Sequence, residues 1–310
     1  MRWDDLPQSD NVEDRRGEGG GFGPGGGFNL PIGGGGLSIG AVVILGLVGW
    51  ALGIDPRLLI DGAEIFTSNA PRQEMPYDQR PGPASHAGVP SDEMGRFVSR
   101  VLGSTEVQWK DIFAKAGQRY RPPTLVLYTG GTSAACGYAQ SAMGPFYCPN
   151  DQRVYLDTAF FHEVEARFHG CDAGSRSCNF VQAYIIAHEI GHHVQNQLGI
   201  LQKAHDAQRN VDKAQANRMQ VKVELQADCL AGVWAHHSEE KWKLLQPGDI
   251  EAALRTASAI GDDRLQKQAR GYVVPDSFTH GTSEQRQRWF QIGLKEGTVG
   301  ACNTFAARQI

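Results

Sequence analysis

His188-Glu189-Ile190-Gly191-His192, followed further on by Glu224-Leu225-Gln226-Ala227-Asp228, decides how this chain of 310 residues is to be read. Residues four apart on a helix share one face, so His188 and His192 aim two imidazole nitrogens at one point in space. Glu189 is rotated about 100° around the axis, which keeps it beside that point without joining it, the position of a general base. The run from Phe180 to Val194 holds no proline, and Ile186, Ile190 and Val194 recur at i, i+4 and i+8 away from the ligand face. That pattern predicts a helix packed into a core. A zinc ion with two histidines needs a third protein ligand and an open position for water, and Glu224 supplies the third. Asp228, one turn further along the same helix, is placed to accept a hydrogen bond from the far nitrogen of a ligand histidine. His193, at i+5 from His188, points elsewhere and reads as packing or as support for the ligands. Gly191 costs about 1 kcal/mol against alanine inside a helix. Its missing side chain predicts that another backbone element approaches there.

Thirty basic and 34 acidic residues give a net charge of −4, which leaves no basic footprint for nucleic acid. Residues 1–16 are charged with little apolar content and 17–36 are rich in glycine, so 1–36 is expected as a disordered tail. Leu37 to Ile54 carries no charge and as a helix spans roughly 27 Å, the length of a single transmembrane helix. Gly49-x-x-x-Gly53 suggests a homodimer through that helix. Arg2, Arg15 and Arg16 precede the segment and only Arg57 soon follows it, which favours a cytoplasmic N-terminus. All six cysteines follow it, as expected of a domain on the periplasmic or extracellular side. Of the possible pairings, Cys136 with Cys148, Cys171 with Cys178 and Cys229 with Cys302 are expected. Prolines at 56, 71, 76, 81, 83 and 90 predict a linker over 55–90, with the catalytic domain over 91–310.

Within that domain Ser91-Asp92-Glu93 starts a helix whose apolar stripe is Met94, Phe97, Val98, Val101 and Leu102, with Trp109 and Phe113 continuing it. Thr124–Tyr128 and Arg153–Asp157 read as strands, and Asp157 as the cap of a following helix. Beyond Glu224 the apolar spacing is helical, with a new helix starting at Thr282 or Ser283. The fold class expected is α+β, mainly helical, with a small sheet before the zinc helix.

At these residues the chain resembles the gluzincin metallopeptidases, whose second motif is a Glu ligand followed four residues later by an Asp. It is similar, more specifically, to a bacterial neutral zinc metallopeptidase family that joins a short tail, one membrane segment and a His-Glu-Ile-Gly-His domain. Gly33–Gly36 with the apolar run, Val154-Tyr155-Leu156-Asp157, both zinc motifs and Phe278-Thr279-His280-Gly281 carry the likeness. The resemblance implies a membrane-anchored zinc hydrolase with a zincin-like domain. It further implies two roles that the residues themselves leave open. His280 is either a donor to a developing oxyanion or a structural histidine. Thr132–Tyr138 is either an edge strand that pairs with substrate or a loop pinned by a disulfide. Arg286 either orients a substrate carboxylate or, the reading preferred here, pairs with an internal acid. The function expected is peptide-bond hydrolysis by a zinc-activated water, with Glu189 as base and a protein or peptide as substrate. A zinc-binding scaffold without catalysis and a hydrolase of a non-protein amide are the alternatives.

Overall fold

Asp92 accepts a hydrogen bond from the backbone N–H of Gly95 at 3.0 Å and so caps α1 (Glu93–Lys115). The apolar stripe of α1 is buried as its spacing predicts, Phe97, Val98, Val101, Leu102, Trp109 and Phe113 included. The structure, a computed structural model, describes residues 1–17, 86–87, 90–141, 144–161 and 176–307. The expected transmembrane helix at 37–54, its glycine pair and most of the linker lie outside those residues. Among the described residues no helix is long and apolar enough to cross a membrane.

Five strands form one sheet in the order β2–β1–β3–β7–β6, where β1 is Val12–Asp14, β2 His86–Ala87, β3 Thr124–Tyr128, β6 Phe146–Cys148 and β7 Arg153–Asp157. β3 runs parallel to β1 and to β7, and the two edge strands are antiparallel to their neighbours. Alternation along the strands divides their side chains between two cores. Leu125, Leu127, Val154 and Leu156 face the helices, whereas Val126, Tyr128 and Tyr155 lie under a hairpin of β4 (Gly131–Ala134) and β5 (Gly137–Gln140). Cys136 in the hairpin turn is disulfide-bonded to Cys148 on β6. Thr132–Tyr138 is therefore a pinned hairpin lying beside the main sheet, and it forms no edge of it.

Helices follow the strands: α2 (Arg176–Gln197), α3 (Ile200–Gln208), α4 (Lys213–Trp242), α5 (Asp249–Ala259), α6 (Asp262–Arg270) and α7 (Ser283–Glu296). Thr282 and Gln285 form a reciprocal capping box at the start of α7, where the sequence places a helix start. The middle of α4, from Val223 to Ala235, is buried all round, as expected of a central helix. It crosses α7 with the two backbones in contact. A side chain on Gly293 would run into the carbonyl of Cys229, and one on Gly232 into that of Phe290. Cys229 is also joined to Cys302, as expected, while the third pairing involves Cys171, outside the described residues.

Residues 1–17 overturn the expectation of a disordered tail. They cross α1 and end as β1 inside the sheet, and the His86–Ala87 part of the expected linker pairs with β1. Ser9 Oγ and Asn11 Nδ2 both donate to the Glu106 carboxylate, at 2.6 and 2.7 Å. Trp3 packs edge-on against Phe97, and Met1, Leu6 and Val12 are buried. Gly103 of α1 lies so close to Pro7 that any side chain there would strike its carbonyl. Charged composition misleads because the segment is held by backbone pairing and by polar contacts to α1, with only three or four apolar anchors.

Candidate metal centre

The zinc helix of the sequence is α2, and α4 packs across it so that His188, His192 and Glu224 converge with one donor atom each within 4.8 Å of the others. His188 Nε2 lies 3.3 Å and His192 Nε2 3.5 Å from Glu224 Oε2. Each imidazole has its far nitrogen committed elsewhere: His188 Nδ1 donates to Asp228 Oδ1 at 2.9 Å and His192 Nδ1 to Gln195 Oε1 at 2.9 Å. Those bonds fix the tautomers and leave two Nε2 lone pairs facing a carboxylate. Two imidazole nitrogens and a carboxylate converging in this way are a donor set that fits zinc.

Electrostatics agree with that fit. Burial opposes charge on His188, yet Asp228 and Glu224 outweigh it and hold its pKa near 10. Burial likewise opposes charge on His192, and Glu224 raises its pKa. Burial would raise the Glu224 carboxyl, but the attraction of the two histidines holds it well below the carboxylate range. The pocket draws positive charge onto its ligands, which is what a divalent ion supplies.

Asp228 is fully buried and accepts from three side chains: His188, Tyr184 Oη at 2.6 Å, and Arg286 through Nε at 2.8 Å and Nη2 at 2.9 Å. Arg286 is thus an internal ion-pair partner, as the preferred reading had it. Its charge lets Asp228 stay ionised in a dry site, so the aspartate orients His188 without itself needing solvent. Gln195 does the same for His192 and is held in turn by Gln226 and the carbonyl of Val223. Tyr184 and Gln195 went unnoticed in the sequence, although both stand at helical spacing from a ligand, four before His188 and three after His192.

Gly191 is where α4 comes closest, since a Cβ there would lie 3.0 Å from the carbonyl oxygen and 3.1 Å from the Cα of Ala227. The expected close approach is found. Replacing Gly191 by Ala is expected to push α4 outward by a few tenths of an ångström and to weaken zinc binding about tenfold while the protein stays folded. Competition against a chromophoric chelator measures it, and unchanged affinity would show that α4 is not positioned by this contact.

His193 sits apart from the centre, as read from its spacing. It packs edge-on to Tyr120 and Tyr147, donates to the carbonyl of Arg121 at 2.7 Å, and burial lowers its pKa to about 4. His280 lies on the loop before α7, with its side chain half-exposed. Asp262 organises that loop: one carboxylate oxygen accepts from the backbone N–H groups of Thr279, His280 and Gly281, and the other lies 3.2 Å from His280 Nδ1. Burial works against charge on His280, but Asp262 and the field of Glu224 raise its pKa. Glu189 is buried beside the ligands, and among the described residues its carboxylate makes no hydrogen bond.

Residues 1–305 match the family described as "Putative neutral zinc metallopeptidase". The "Uncharacterized protein YpfJ" of Escherichia coli (strain K12) is 46% identical over 306 residues, covering 98% of this chain and 99% of that protein. The "Uncharacterized protein Rv2575" of Mycobacterium tuberculosis (strain ATCC 25618 / H37Rv) is 38% identical over 231 residues, 70% of this chain and 74% of that one. No solved structure matches. A match running from the docked N-terminus through His188–His192 and Glu224–Asp228 to the second disulfide leaves one conclusion: the chain belongs to the family described as "Putative neutral zinc metallopeptidase".

Proposed function

We propose that the protein is a zinc-dependent peptidase with a zincin-like catalytic domain, and that His188, His192 and Glu224 hold the ion. The observation that carries this reading is the unbonded Glu189 carboxylate beside three convergent donors whose far atoms are already fixed. A structural zinc site closes its coordination and has no use for a free base. Bound zinc supplies Lewis acidity toward a substrate carbonyl and lowers the pKa of a water molecule. Glu189 accepts the proton of the attacking water and returns it to the leaving amine. His280, its pKa raised by Asp262, donates to the oxyanion that develops on the carbonyl. Asp228, with Arg286 behind it, keeps His188 in one tautomer throughout.

The full chain, purified with its disulfides formed, is expected to cleave unfolded protein substrates, to stop after treatment with 1,10-phenanthroline and to resume when zinc is restored. Hydrolysis that survives complete removal of the metal would overturn the proposal. Zinc bound without cleavage of any peptide would favour the scaffold or a non-protein amide.

A further inference from the structure

A second set of ligands lies at the far end of α4. His236 and His237 are consecutive, so their side chains leave the helix about 100° apart, yet both rings turn toward the same acidic residue, Glu240. His236 Nε2 lies 3.5 Å from Glu240 Oε1 and His237 Nδ1 lies 3.2 Å from Oε2. One donor atom from each of the three falls within 4.8 Å of the others.

The tautomers are fixed in the same way as at the catalytic centre. His236 Nδ1 donates to the carbonyl of Leu294 at 2.8 Å, and His237 Nε2 to the carbonyl of Gly297 at 2.8 Å. The proton of each neutral ring is therefore spent on α7 and its C-cap, which leaves one lone pair per ring directed at the carboxylate. Two imidazole nitrogens and a carboxylate brought to one point in this way form a donor set that a divalent ion can bridge. Gly297, with φ of 62°, packs on the His236 ring so closely that a methyl group in its place would collide with the ring and cover Nε2.

We propose that His236, His237 and Glu240 form a second binding site for a divalent ion of the imidazole-preferring kind, zinc above all. The donor set excludes magnesium and calcium, which take oxygen ligands. Glu240 is largely exposed and the rings about a quarter exposed, so the ion exchanges with solvent and is held more weakly than the buried one. Both histidines also grip the end of α7, so occupancy ties the α4 terminus to the α7 C-cap. These are the two helices that carry Glu224, Asp228 and Arg286. This site stands on its own residues and does not depend on the catalytic reading.

The test uses the full chain stripped of metal and titrated with zinc, with bound metal counted by equilibrium dialysis against the free ion and the unfolding temperature followed alongside. The parent is expected to take two equivalents, the second raising the unfolding temperature. Glu240→Ala and His237→Asn are expected to take one, and Glu240→Ala to hydrolyse substrate like the parent. His192→Ala is expected to lose the tight equivalent and keep the weak one, which separates failure of this proposal from failure of the catalytic one. A parent that takes a single equivalent, or a second equivalent that persists in both Glu240→Ala and His237→Asn, overturns the second site.

Discussion

Glu189→Gln is expected to lower peptide hydrolysis by about 10²- to 10⁴-fold while zinc content and unfolding temperature stay at parent values. The substitution keeps the shape of the side chain and removes only its capacity to accept a proton. No hydrogen bond among the described residues is lost with the charge, because the Glu189 carboxylate makes none. Nor does Glu189 belong to the donor set of His188, His192 and Glu224, so the metal has no reason to leave. Steady-state hydrolysis and metal analysis on the same preparation separate the two effects. Parent-level hydrolysis would mean that another group is the base, and a parallel loss of zinc would mean that Glu189 is a ligand.

Gly293→Ala is expected to be the most destabilising single methyl group in the molecule, costing about 3 kcal/mol or more. The added Cβ would fall inside the van der Waals radius of the Cys229 carbonyl oxygen, in a place where both partners are helix backbone and neither rotates away. Relief requires α4 and α7 to separate, and Arg286 would then leave Asp228. Zinc affinity is expected to fall together with stability, because Asp228 left buried without its cation no longer holds His188 firmly. Gly300→Ala is the control, since nothing lies within 4 Å of a Cβ there, and its effect is expected within about 0.5 kcal/mol. Urea unfolding of the two variants decides the matter, and Gly293→Ala melting like Gly300→Ala would refute the account of the crossing.

The centre was largely legible in the sequence because its chemistry is written at helical spacing. His188, Glu189 and His192 on one helix and Glu224 with Asp228 on another fix each residue's face before any fold is known. Gly191 was legible for a related reason, since a glycine inside a helix has a cost that only a neighbour explains. The two strands rich in Val, Leu and Tyr and the helix starts at Asp92 and Thr282 could be read from local signals. Val12–Asp14 could not, because three residues with one buried side chain carry no periodicity, and their place depends on pairing with Leu125 and Leu127 far along the chain. The hairpin over Thr132–Tyr138 escaped for a similar reason. Its small residues form a strand pair only because Cys136 is tied to Cys148 and the sheet beneath offers Val126 and Tyr155 to cover.

The docking of Val12–Asp14 between β2 and β3 bears on the order in which the chain can fold. Residue 17 and residue 90 belong to one folded body, so β1 cannot take its place in the sheet until β3, far later in the chain, has been made. The N-terminal strand is therefore held in the same body that the disulfides Cys136–Cys148 and Cys229–Cys302 tie together, and it docks only onto a sheet those bonds already brace.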